Sequence, residues 1–502
     1  MKASVFTKRF LSVLALFMAM VMVLSACNGG GETSSTDSAV SGDAATDVSG
    51  ADGENTTDAS STGSTASNST AANNNSSTTS NGGSTNNGGT TTTSGSTVFS
   101  KDYLKTIPDS VKKAGVHVLM WRNYTKTEKK LVDEFQQKTG MKVRTTVTTE
   151  QEYSTKLIAL VTGNDAPDVV MLSPGAFPSM VVKALQPLDR KQFRLDDSCW
   201  YKAYMDAYKV NGKYYSVAMR GSWSCEDGCY VTYYLPSVLR NCGITTMPYE
   251  LYKQGKWNWD TELDMLRKIK QSNKGITPLS LQSNFIYMLT TGSDFISFDG
   301  TKFTNNINTL NASSTLVKAW SYVSSLQDEG LTTSWNASLV EQGKVGLFTA
   351  ISYGLYNEGD WFTHMKGGTA NMEAVPVAGA KGSTAYVPVN PKTWGTAKKC
   401  KNPEGAAYFL RYWLDISNFN ISSTFYNKQF EEVYNIITST SAKKGIKVGE
   451  GVADYVNTGK YGALCNQLGT ATAANVFNVL QKQKGLLDAG IKRANADIAR
   501  LK

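Results

Sequence analysis

Two short stretches carry side chains suited to holding a ligand. Trp121-Arg122-Asn123-Tyr124 sets a flat aromatic face beside a guanidinium and an amide, and Ser173-Pro174-Gly175 adds a hydroxyl. An indole can cover the C–H face of a neutral polyhydroxylated molecule while arginine, asparagine and serine meet its hydroxyls. The alternative for Trp121 is core packing at a strand's end, and for Arg122 and Asn123 a solvated loop. Bond-making chemistry has less support. There is no GxSxG elbow, no HExxH pair and no GxxxxGK[ST] phosphate loop. The two histidines, His117 and His364, lie far apart, and His117 alternates with apolar residues, so it reads as core. Acidic residues are plentiful, and a glycosidase-type carboxylate pair stays open on sequence. Beyond Cys27 stand Cys199, Cys225, Cys229, Cys242, Cys400 and Cys465. They permit disulfides in an exported chain. Turn-forming residues between Cys225 and Cys229 suit a local bridge, with buried free thiols the equal alternative. No catalytic residue, metal or cofactor is expected.

The elements around these loops read as α/β. Val116 to Trp121 is a short apolar run with β-branched residues, a buried strand. Thr125 to Glu128 has the capping-box pattern; Leu131, Val132 and Phe135 share one helical face, and Gly140 ends it. Lys142 to Val147 alternates as a strand, Tyr153, Leu157, Leu160 and Val161 line a second helix stopped by Gly163, and Asp168 to Leu172 is a third strand. Strand–helix–strand–helix–strand implies right-handed crossovers and a parallel sheet. Ligands of such sheets sit beyond the strands' carboxyl ends, which selects the loops at 121–124 and 173–175.

Ahead of this body, Lys2, Lys8 and Arg9 precede an apolar run from Phe10 to Leu24, the layout of a secretory signal. Leu24-Ser25-Ala26-Cys27 resembles the lipobox of bacterial lipoproteins, in which the cysteine carries a diacylglycerol; two acyl chains anchor stably. From Asn28 to about Thr97 the chain is nearly all Ser, Thr, Gly, Asn, Ala and Asp, with no aromatic and no Lys or Arg. Such a stretch is expected to stay disordered; as a flexible coil it spans roughly 45 Å. Of the 51 basic and 42 acidic residues, three basic ones lie in the leader and seven acidic ones in the linker, so the body carries about +13. No concentrated Lys/Arg block is visible, which argues against nucleic acid and for a diffuse positive surface beside anionic membrane or wall polymer.

The run Leu131 to Asp189, with EFQQKTGMKV, GNDAPDVV and the closing LQPLD, resembles extracellular solute-binding proteins of the family that includes maltose-binding protein. Later segments fit in order: the Asn211-Gly212 hairpin, the helix start at Trp257-Asn258-Trp259-Asp260, the strand after Gly343, and Asn402-Pro403 opening a helix. The resemblance implies two α/β lobes joined by crossing strands, a ligand cleft between them, and closure on the ligand. It implies division into a signal peptide (1–26), lipidated Cys27 with linker (27–100), and a binding domain (101–502). Lobe 1 would hold about 116–221 plus 343–415, and lobe 2 about 222–342 plus 416–502. Ligand contacts would come from Trp121, Trp223, Tyr353 and Trp394 as stacking platforms, with Arg122, Asn123, Ser173 and Arg220 as hydroxyl partners. The implied partners are a small solute, carbohydrate first, and the transmembrane subunits of an ABC permease, with the chain monomeric at the outer face of the cytoplasmic membrane. Ser222 to Cys229 departs from the pattern; Glu226 and Asp227 either line the cleft or form a solvated turn. Binding of polyamines or peptides, or a role as a surface carbohydrate-active enzyme or adhesin, are the rival readings.

Overall fold

The computed structural model of the chain describes residues 101–219, 228–355, 368, 371–415, 425–456 and 459–501. The leader, Cys27, the linker, Arg220, Trp223, Cys225, Glu226 and Asp227 lie outside the described residues.

The first sheet forms as the apolar pattern requires. Val116–Met120 is buried throughout and pairs in parallel with Val143–Val147, Val116 opposite Val143. A parallel bridge from Val118 to Val169 brings in the third segment, and Val170–Leu172 pairs antiparallel with Thr393–Gly395, which in turn pairs antiparallel with Ser216–Val217. The helix Lys126–Thr139 starts at a complete capping box and ends at Gly140, whose φ of 72° suits glycine. Thr125 Oγ1 accepts from the Glu128 N–H at 3.2 Å, and Glu128 Oε2 accepts from the Thr125 N–H at 2.7 Å. Thr125→Ala is expected to cost about 1 kcal/mol, read as a lowered urea midpoint.

The second sheet runs in the order Glu373–Pro376, Tyr230–Tyr234, Val345–Ile351, Thr277–Leu281, Thr332–Ser334. Here the expected lobe boundary is corrected. Val345–Ile351, expected in the first lobe with the chain's return at Gly343, is the middle strand of the second sheet, Leu347 lying opposite both Tyr234 and Leu279. The cause is burial on both faces: Val345 to Ala350 is wholly buried, and a Cβ on Gly346 would stand 2.7 Å from Ile269 Cδ1 and 3.0 Å from the Pro278 carbonyl. Such a strand needs neighbours on both edges. The chain rejoins the first sheet at Thr393 instead.

Two segments cross between the sheets. Cys229 bridges antiparallel to Val389, and Val387–Val389 pairs in parallel with Lys444–Ile446. The hairpin at Val210–Lys213 turns through Asn211 (φ 48°) and Gly212 (φ 75°), the left-handed pair that an Asn-Gly turn supplies. The 23-residue helix Val476–Ile498 packs against Glu450–Asp454 and Phe303–Asn305. Among the described residues no helix is long and apolar enough to cross a membrane.

Candidate functional site

The loops after the first-sheet strands meet the ends of the second sheet through the crossing segments. Trp121 follows Met120 directly, is half-buried and packs on the core. Its indole Nε1 is buried and meets no acceptor among the described residues. Lys392 Nζ lies 3.9 Å from the centre of the Trp121 ring, a cation on an aromatic face, with Glu150 Oε1 3.7 Å from the same nitrogen. Two residues back, Asn390 donates its N–H to Gly228 at 2.9 Å, and Ser352 donates its N–H to Cys229 at 2.7 Å. Tyr353, half-buried, follows Ser352. So the Trp121 loop and the Tyr353 loop are joined through residues 228–229 and 390–392.

Arg122 is largely committed to fold. Its two terminal nitrogens grip Glu128 Oε2 at 2.5 Å and Oε1 at 2.7 Å, holding the carboxylate that caps the helix. Asn123 is exposed and Ser173 half-buried. Ser173 uses its carbonyl to accept from Ala176 and Phe177 at 3.0 and 3.2 Å. Trp394 is not a platform. It is 1% exposed and packs edge-on against Trp413 at 4.8 Å, because its strand is flanked on both sides and this face turns to the helix Pro403–Trp413. Lys392, two residues earlier and just ahead of the strand Thr393–Gly395, is the group that reaches the loop.

A second contact between the lobes was not legible in sequence. Glu450 lies against Gly175, where an added Cβ would stand 3.3 Å from its carboxyl carbon. Lys447, 3% exposed, pairs with Glu450 at 2.9 Å and sits 4.0 Å over Phe285. Beside them Asp294 accepts from the N–H groups of Val448 (3.1 Å) and Gly449 (2.9 Å) and from Tyr461 Oη (2.9 Å). Burial nevertheless raises its pKa. A cavity of about 300 Å³ opens at this seam, with Gly175, Ala176 and Lys183 on one wall and Gly451, Asp454 and Tyr455 on the other.

The remaining titratable candidates are structural. His117 is buried, 2.8 Å from Thr146 Oγ1; burial, then Arg144, lowers its pKa to about 4. Cys199, Cys242, Cys400 and Cys465 are unbridged. Among the described residues no three or more His, Cys, Asp or Glu side chains gather as metal ligands would.

An α/β fold with two sheets, crossing segments and a polar, aromatic seam is the frame of a binding protein, and residues 130–427 match the family of bacterial extracellular solute-binding proteins. The chain belongs to that family. Among solved structures it is similar to the galacto-N-biose/lacto-N-biose I-binding protein of an ABC transporter from Bifidobacterium longum, in complex with lacto-N-biose (13% identity, 76% of this chain and 97% of that chain, TM-score 0.57). It is also similar to UgpB from Mycobacterium tuberculosis in complex with glycerophosphocholine (15%, 76% and 98%, 0.56). A third is the sugar-binding protein MalE from Xanthomonas citri (13%, 76% and 98%, 0.54). No curated protein matches the chain. At these identities the likeness is one of fold. The family and these neighbours are binding proteins.

Proposed function

We propose that this chain is a lipid-anchored extracellular binding protein that captures a sugar or oligosaccharide between its lobes and delivers it to the membrane subunits of an ABC transporter. Cys27 carries the lipid, residues 28–100 form the tether, and lobe 1 comprises about 101–219 and 393–415, with most of the rest in lobe 2. The observation that carries the reading is Trp121: a half-buried indole at the end of a buried strand, its N–H without an acceptor among the described residues. A sugar takes the ring face that Lys392 now covers, and the displaced ammonium has Glu150 nearby. Asn123 and Ser173 meet hydroxyls on the first-lobe side, Tyr353 supplies an aromatic edge from the other, and Arg220 and Trp223 extend the site. Arg122 positions the loop through Glu128.

A second reading is favoured by Lys392 itself. A ring that already holds a cation suits a ligand cation, as in the glycerophosphocholine that the M. tuberculosis neighbour binds.

The test is a thermal-shift screen of mono- and oligosaccharides, glycerophosphocholine and polyamines. A solute at 100 times its dissociation constant stabilises by about 2.7 kcal/mol. The expected result is a sugar shift, with about tenfold weaker affinity in Trp121→Ala. A shift from cationic solutes alone selects the second reading, and turnover of an oligosaccharide rejects both.

A further inference from the structure

The body's lysines are scattered along the sequence, but the fold gathers several at one pole of the first sheet. Val116–Met120 and Val143–Val147 begin there, and the antiparallel strand Thr393–Gly395 ends there. Asn402, buried, ties the pole together. Its Nδ2 donates to the carbonyls of Val111 (2.9 Å) and Gly115 (2.6 Å), and its N–H donates to Asp168 at 2.7 Å. Gly115 is pressed against Lys142, whose carbonyl would stand 2.8 Å from an added Cβ. These ties bring Lys113, Lys142, Lys399 and Lys401 to one surface. All four are exposed, and among the described residues none has a carboxylate within 4.0 Å. Lys112 and Lys398 stand beside them. The acids that face the pole are few. Asp109 is paired with Lys112 at 3.5 Å and Asp165 with Arg144 at 2.7 Å. Asp168 is buried, and Glu404 is half-buried.

The described chain begins beside this pole, with Lys101–Thr106 leading into the helix Asp109–Ala114 that carries Lys112 and Lys113. Whatever tethers the chain at Cys27 therefore joins the body here. The Trp121 and Ser173 loops lie at the opposite ends of the same strands.

We propose that this pole is a docking surface for the anionic phospholipid headgroups of the membrane to which the chain is tethered. The inference rests on the lipid-anchored reading, because the tether keeps the membrane within reach. Each lysine near an anionic leaflet strengthens binding by about fivefold, an effect confined to a Debye length.

The test is co-sedimentation of the unlipidated mature chain, residues 27–502 carrying Cys27→Ser, with vesicles of phosphatidylglycerol and phosphatidylcholine or of phosphatidylcholine alone. Binding is expected only to the anionic vesicles, falling between 50 and 300 mM salt as about a Debye-screened contact should. Lys113→Gln, Lys142→Gln, Lys399→Gln and Lys401→Gln together should weaken it by about two to three orders of magnitude. A control with glutamine at Lys256, Lys268, Lys274 and Lys318 of the second sheet's lobe should bind as the parent does, and both variants should keep the parent's melting temperature. No binding by the parent, equal binding by the pole variant, or equal loss in the control overturns the proposal. Lipidation of Cys27 is read separately, from the mass of the N-terminal peptide of the cell-derived protein, so a missing lipid and a failed docking surface give different results.

Discussion

Gly451→Ala lowers the melting temperature by several degrees and weakens solute binding. Gly451 sits in Glu450–Asp454, where a Cβ would stand 1.9 Å from the carbonyl oxygen of Phe177 and 2.8 Å from that of Gly175. Both obstacles are backbone, so no side chain can rotate aside. The short helix must back away from Pro174–Ala176, and an overpacked contact of this kind costs about 3 kcal/mol. Glu450, next in the chain, moves with it, and so does the carboxylate that pairs with Lys447. The matched control is Gly462→Ala on the helix Lys460–Thr470, where nothing lies within 4 Å of the added methyl. There the substitution should stabilise by about 0.5–1 kcal/mol through helix propensity. Equal melting temperatures for the two variants would show that the lobes do not meet at Gly451.

The second large effect is a pH dependence seated at Glu262. Its carboxyl is fully buried on the helix Trp259–Gln271 and accepts hydrogen bonds from Tyr287 Oη and Tyr322 Oη, each at 2.9 Å. No lysine or arginine among the described residues pairs with it. Burial pushes its pKa up to about 7, which the two hydroxyls only partly oppose. The unfolded chain titrates this group near 4.5. The folded state therefore holds the proton more tightly. The associated stability is fully present below pH 4.5 and is lost as pH rises through 7, in total about 3 kcal/mol. His117, lowered to about 4, acts in the opposite sense: its unfolded form binds the extra proton, so its part of the stability rises with pH up to about 6.5. The two overlap, so the measurement is a difference. Urea midpoints of the parent and of Glu262→Gln, taken from pH 5 to 8, cancel the histidine. The variant should gain on the parent from pH 5 to about 7 and level off above that. A constant difference would mean that Glu262 does not titrate there.

Local patterns read correctly from the sequence are those whose partners lie within one or two turns. The capping box at Thr125 and Glu128, the stop at Gly140, the Asn211-Gly212 turn and the Asn402-Pro403 helix start all formed as their residues dictate. Asn258 caps its helix through bonds to the next two or three N–H groups for the same reason. The first strand's mostly apolar run, broken only by His117, likewise settled its burial, and with it the place of the Trp121 loop at a carboxyl end.

Errors arose where the deciding contact is remote. Trp394 and Lys392 stand two residues apart, and which of them reaches the open loop depended on Trp413 and Trp121, far away in the chain. The strand after Gly343 was recognised as a strand, but its lobe was set by pairing with Tyr230–Tyr234 and Thr277–Leu281. A run of apolar residues states how deeply it must be buried and leaves open beside which neighbours.

By itself, then, the sequence determined an exported α/β binding protein of a recognisable family, with its helix ends and turns in place, because those features are fixed by short-range hydrogen bonding and periodicity. Only the tertiary structure decided that Arg122 serves Glu128, that Glu450 reaches Gly175, and that four lysines between positions 113 and 401 share one pole. The last two join residues tens to hundreds of positions apart, where burial and electrostatic pairing follow from the packed chain as a whole; Arg122 and Glu128 stand only six apart, and what decides their pairing is how the loop after the first strand folds back on the capped helix.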